Sequence, residues 1–230
     1  MELLLNSPIL GIILSVFTFQ IGILIFRRIN FMLLHPFIIS VLLIIPILLI
    51  FNIPLGSYMI GGDLITFFLG PATVVLAIPL YNEIKTLKKH YIPILVSVIT
   101  GSTIAIVSVI LIGQILNLSP ALIVTLIPKS ITNPIGIELS KQLGGDPAIT
   151  VASIVFTGLL GAIVASFTCR WLGIKNPMAI GLALGTSAHA MGTSRALELG
   201  ETEGAMAGLA IGLAGLATVL LAPIFVHWLM

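Results

Sequence analysis

The sequence predicts an all-α polytopic membrane protein with an internal repeat of about 57 residues. Each unit is a long helix followed by a broken segment, and successive units are inverted, in the manner of secondary transporters. Three observations lead to this class. Of 230 residues, 58% are hydrophobic and only 8% charged, with a mean hydropathy of +1.24. A soluble chain of that length carries roughly 25% Asp, Glu, Lys and Arg, which it needs to solvate its exterior. Five apolar stretches reach the length of about 20 residues that spans a bilayer. Between them lie comparably long segments with Gly or Pro near the middle, where a continuous helix loses backbone hydrogen bonds.

Taken in order, residues 8–26 are apolar, lack a basic n-region and run directly into Arg27 and Arg28. They read as a first transmembrane helix with a cytoplasmic basic flank, and not as a cleavable signal peptide. Residues 33–51 form the second span, so 1–57 is expected to be an N-terminal two-helix segment. The region 58–230 is expected to be the repeat-containing core, with spans at 92–116, 148–170 and 204–229. Its broken segments are 59–83, 120–143 and 177–199.

A shift of 57 residues aligns Thr100-Gly101 with Thr157-Gly158, Pro120 with Pro177, and Ser130 with Ser187. It also superimposes the order of long helix and broken segment. The positive-inside rule then orients the units. Lys85, Lys88 and Lys89 bring the chain back to the cytoplasm after 59–83. Re-entry of 120–143 places Arg170 and Lys175 inside, whereas a full crossing places only Lys141 there. Two charges against one favour re-entry, in which case segment 177–199 dips in from the cytoplasmic face. Both topologies stay open at this level.

The residues with chemical potential lie in the broken segments. In LIPKSITNPIGIELSKQ, Lys129 follows an apolar run, and Pro128 and Pro134 bracket it. A charge at that depth costs at least about 2.5–3.5 kcal/mol, so it faces a cavity, a partner or a substrate. A nearby helix N-terminus with Lys129 suits an anion, and Ser130, Thr132 and Asn133 add neutral donors. The alternative is a Lys129 that snorkels to a surface or pairs with Glu138. In GTSAHAMGTSRAL, two Gly-Thr-Ser triplets flank His189. Thr186, Ser187, Thr193 and Arg195 are the candidates there, with His189 as a proton carrier. Small residues at this density serve tight helix packing equally well, and a membrane histidine serves equally as a packed donor.

Asp63 reads as interfacial, and Glu201 and Glu203 as dipole-matched residues at a helix start. The single Cys169 excludes an intrachain disulfide and a cysteine-based metal site, and reads as apolar filler. A net charge of +2 with no basic run argues against nucleic acid. No nucleotide, dinucleotide or metalloprotease motif is present, and no nucleophile, base and orienter set. The expectation is therefore a non-enzyme without cofactor or metal.

Three stretches, SYMIGGDLITFFLGPATVVLAIPLY, LIPKSITNPIGIELSKQLGG and GLALGTSAHAMGTSRALELGETEGAMAGLA, resemble the LrgB/CidB membrane protein family over essentially the whole chain. The family is also called antiholin-like or YohK-like. The resemblance implies a multi-pass protein of the cell membrane, and two kinds of role. Bacterial members are described as partners of small holin-like proteins of the LrgA/CidA type, modulating murein hydrolase activity and autolysis. Plant members resemble this chain in their membrane portion and are plastidal glycolate/glycerate translocators, and some bacterial relatives are implicated in pyruvate movement.

Two expectations follow. The first is a facilitator for small monocarboxylates of the pyruvate, lactate or glycolate class, with Lys129 and Arg195 holding the carboxylate and a holin-like partner at its side. The alternative is an antiholin-like regulator of murein hydrolases. Lipid is an expected neighbour in either case. Small-residue faces such as Gly204, Gly208 and Gly212 suit helix association, including a homo-oligomer.

Overall fold

In the computed structural model, residues 7–29, 34–68, 71, 74, 78, 81 and 84–229 are described. They are helical with short connections, and four of the helices are long and apolar enough to cross a membrane. The chain divides into two compact units, Met1–Ala72 and Thr73–Met230.

Unit 1 holds α1 (Pro8–Ile29), α2 (Pro36–Ile50) and α3 (Leu55–Phe67). Arg27 and Arg28 close α1, where cations complement the helix dipole. Glycines let backbones meet: a side chain at Gly11 would strike Tyr58 and Gly61, and one at Gly22 would strike Pro36. Ser15 and Tyr58 share a hydroxyl hydrogen bond of 2.8 Å across the α1–α3 contact. Because α3 packs on α1, the unit runs past the 57/58 boundary expected from composition. Of the broken segment 59–83, residues up to Phe68 continue α3 and its C-cap. Most of 69–83 lies outside the described residues.

Unit 2 begins with α4 (Ile84–Lys89), then α5 (Tyr91–Ile115). Segment 120–143 follows as α6 (Pro120–Leu126), a 3-10 turn (Ile127–Ser130) and α7 (Asn133–Gln142). Then come α8 (Pro147–Trp171), α9 (Pro177–Leu199) and α10 (Glu201–Leu229). Each start has a local cause. Ser119, Asp146 and Asn176 are N-caps whose side chains accept backbone N–H groups, each followed by Pro at the first helical position. Glu201 and Glu203 occupy the first turn of α10.

Side-chain clusters fix the directions. Ile94 and Val98 of early α5 pack with Met206, Leu209 and Ala210 of early α10. Ile106, Val109 and Ile110 of late α5 pack with Ala222 of late α10. These two helices therefore run parallel, and α8 runs against them.

Both broken segments double back. The first turns at Ile127–Ile131, where α6 gives way to the 3-10 turn and extended backbone. Its two arms are tied to the start of α8 by buried hydroxyls. Thr150 Oγ1 lies 2.7 Å from Ser140 Oγ and 2.8 Å from the Thr125 carbonyl, while the Asp146 N–H donates to Thr125 Oγ1 at 2.9 Å. The second segment, α9, breaks at His189, whose φ of 41° and ψ of −126° are non-helical. Beyond it the chain reverses so sharply that a side chain at Gly192 would strike the Leu184 carbonyl. The first arm of α9 runs alongside α10, with Gly181 against Glu203 and Met206 and Gly185 against Ala207.

The hairpins enter from opposite ends of the unit. Pro120 and Gln142 lie at the end where α5 finishes and α8 starts; Pro177 and Leu199 lie at the end where α8 finishes and α10 starts. The second end carries Lys85, Lys88, Lys89, Arg170 and Lys175, and the first carries Lys141.

Candidate functional site

The first hairpin brings Lys129 into the middle of unit 2. Pro128 cannot continue the α-helical ladder, so the turn tightens to 3-10 geometry and Lys129 leaves the axis of α6. Its ammonium lies 3.4 Å from Ser130 Oγ. Glu138, the alternative partner, bonds Gln142 instead at 3.4 Å. Among the described residues no carboxylate lies within ion-pair distance of Lys129.

Lys129 and Ser130 line a cavity of about 700 Å³. Thr186 and Ser187, at the last turn before the break in α9, line the same cavity. The two pairs are related by the 57-residue shift. The remaining wall comes from the middle of α5 (Ser97 to Ala105), the middle of α8 (Phe156 to Val164) and the first arm of α9. Gly101 makes room for the site: a methyl added there would lie 2.9 Å from Thr186 Cγ2. Gly161 lets α9 close in, with Ala188 Cβ 2.9 Å from the position of an added methyl.

The other candidates are not among the cavity's lining residues. Thr132 caps α7 by position only; its buried hydroxyl, like the Oδ1 of Asn133, has no hydrogen-bond partner among the described residues. His189 is 5% exposed and sits on α8, with Nε2 2.9 Å from the Ile154 carbonyl. A carbonyl only accepts, so Nε2 bears the proton. The ring fits there because residue 158 is glycine: an added methyl would lie 2.6 Å from His189 Cε1. Thr193 donates to the His189 carbonyl at 3.0 Å, supporting the break rather than facing the cavity. Arg195, expected to share the carboxylate with Lys129, lies in the returning arm and pairs with Glu198. A charge held by its own helix is not aimed at the cavity, so Lys129 is the cation among the cavity's lining residues.

Sequence reasoning missed Ser97 and Thr157, which put two more hydroxyls on the wall. Their signal was a hydroxyl inside an apolar span; Thr157-Gly158 stood out only as a repeat match. Asp63 is exposed on α3, and Cys169 is a buried free thiol near the end of α8. No group of three metal-ligating side chains occurs among the described residues.

Comparison with known proteins adds the lineage. The chain is 40% identical over 194 residues to uncharacterized protein YwbG of Bacillus subtilis (strain 168), covering 84% of this chain and 86% of that one. It is 34% identical over 224 residues to the antiholin-like protein LrgB of Bacillus mycoides (strain KBAB4), covering 97% of each chain. The protein of that name from Bacillus cereus (strain B4264) matches to the same extent. No solved structure matches. The sequence model of the LrgB-like family matches residues 15–228, nearly the whole chain. With apolar helices of spanning length and this match over residues 15–228, the chain belongs to the LrgB-like family of membrane proteins.

Proposed function

We propose that the chain is an antiholin-like protein of the cell membrane, acting with a small holin-like partner to restrain murein hydrolase activity and autolysis. The observation behind this reading is 34% identity over 97% of each chain to proteins named antiholin-like. The basic end, with Lys85, Lys88, Lys89, Arg170 and Lys175, faces the cytoplasm in this arrangement. Regulation by association needs no catalysis and no cofactor. The test is complementation of a strain lacking its own family member and its holin-like neighbour. Restoring both genes is expected to slow detergent-induced autolysis, and restoring this chain alone is expected to do less. Equal autolysis in all strains refutes the reading.

A second reading has its own observation, the cavity holding Lys129, Ser130, Thr186 and Ser187. In it the chain is a facilitator for small monocarboxylates such as pyruvate, lactate or glycolate. A half-buried cation among hydroxyls offers a carboxylate one charge-assisted bond and several neutral ones. Hairpins from opposite ends and the shift-related pairs at their tips support a duplicated, inverted unit, the architecture secondary transporters use. Proteoliposomes containing only this chain are expected to take up labelled pyruvate, and Lys129→Gln is expected to abolish uptake. Uptake equal to that of empty liposomes for every small acid removes this reading and leaves the first intact. The two are compatible, since acid flux and lysis can share one protein.

A further inference from the structure

The cavity is large for a two- or three-carbon acid. At about 700 Å³ it has the volume of roughly 300–1,000 Å³ typical of sites for drug-sized ligands, and part of its wall, at Ile104, Phe156 and Val164, is exposed. Its shape follows from the helices that form it. The lining residues run from Ala105 to Ser97 on α5, from Phe156 to Val164 on α8 and from Ser187 to Ala179 on α9. These stretches run side by side toward the basic end, and at 1.5 Å per residue each spans roughly 12 Å. Lys129 and Ser130 sit at the mid-depth end of that length. Toward the basic end the wall is mostly apolar, with Leu160, Val164, Ala179, Leu182 and Ala183, and Ser97 is the hydroxyl there. A carboxylate of two or three carbons satisfies Lys129 and leaves most of this wall untouched.

We propose that the cavity is built for amphipathic monocarboxylates, the carboxylate at Lys129 and Ser130 and an unbranched apolar body extending along α8 and the first arm of α9 toward the basic end. This rests on the reading of the cavity as a carboxylate site and goes beyond it in the class of acid. The one cation fixes the head and selects a single negative charge. The tail gains by leaving water, at about fourfold in affinity per buried methylene. Dicarboxylates are disfavoured, because a second charge would be buried among aliphatic side chains.

The experiment is equilibrium binding of labelled acetate, butyrate, hexanoate and octanoate to the full chain in nanodiscs, with binding to empty nanodiscs subtracted. Affinity is expected to rise about fourfold per methylene across the series. Lys129→Gln is expected to weaken all members by a similar factor. Ala183→Phe, which fills the wall, is expected to lower the octanoate-to-acetate affinity ratio at least tenfold. Ala179→Phe serves the same purpose should the first variant not fold, as judged by helical circular dichroism and gel filtration. Equal affinity across the series, or a ratio unmoved by either variant, overturns the chain-length proposal while the carboxylate site stands. No binding of any acid to the wild-type chain overturns both.

Discussion

At the scale of single residues, the site depends on which groups are left without partners and which are tied down. Among the described residues Lys129 hydrogen-bonds Ser130 and pairs with no carboxylate, whereas Arg195 is tied to Glu198, and this difference separates an unpaired cation from a paired one. His189 is tied down as well. Its ring bonds the Ile154 carbonyl and lies over Gly158, holding a positive φ that a non-glycine residue seldom adopts. Gly158→Ala is therefore expected to cost about 1–3 kcal/mol by overpacking, read as a lower unfolding temperature in detergent. Adding His189→Ala should recover part of that loss by removing the ring; a double variant less stable than the sum of the two singles would refute the contact. Thr150 anchors the base of the other hairpin through Ser140 and Thr125. Thr150→Val keeps the shape and leaves a buried partner unsatisfied, so a loss of about 1–3 kcal/mol is expected. An unfolding midpoint equal to the wild type would mean that the hydroxyl network is dispensable.

At the scale of elements, the long spans were legible because their signal is simple: about 20 apolar residues leave few alternatives. Predicted spans 92–116 and 148–170 are observed as Tyr91–Ile115 and Pro147–Trp171. The breaks at 120–143 and 177–199 were legible from Pro128, Pro134 and the Gly-Thr-Ser triplets, because proline and glycine act on the backbone locally. The place of the second break was not, since His189 takes its conformation from a contact with α8, 35 positions away. The same limit explains the mixed outcome for the site. Lys129, Ser130, Thr186 and Ser187 meet in one cavity, while Thr193 and Arg195, equally polar, turn elsewhere. Polarity within an apolar chain marks a segment as special, but the tertiary path decides which side chains face inward. Glycine performs the closest packing: Gly185 lets the first arm of α9 meet the Ala207 backbone. Gly185→Leu must push the arm away from α10, so loss of the folded fraction on gel filtration is expected, whereas retained yield and stability would show that the two elements can separate freely.

At the scale of the whole molecule, four helices of spanning length among the described residues belong to a membrane protein, and in unit 2 two hairpins from opposite ends bring Lys129, Ser130, Thr186 and Ser187 to one cavity. The distribution of charge makes a directional prediction. With Cys169 replaced by Ala, a cysteine at Lys175 is expected to react with impermeant reagent only from the cytoplasmic side, and one at Lys141 only from the outside. Labelling of both from one side would break the arrangement. Lys129 lies level with the middle turns of α5 and α8, which line the same cavity. On the facilitator reading, an anion bound at Lys129 would cross about half of the transmembrane voltage, about 1.2 kcal/mol per 100 mV. Its affinity should change about sevenfold per 100 mV applied across proteoliposomes. A voltage-independent affinity would place the cation in an open vestibule at bulk potential. On the facilitator reading, Lys129 is the cation among the cavity's lining residues, and the electrical state of the membrane would set how often that cavity is filled.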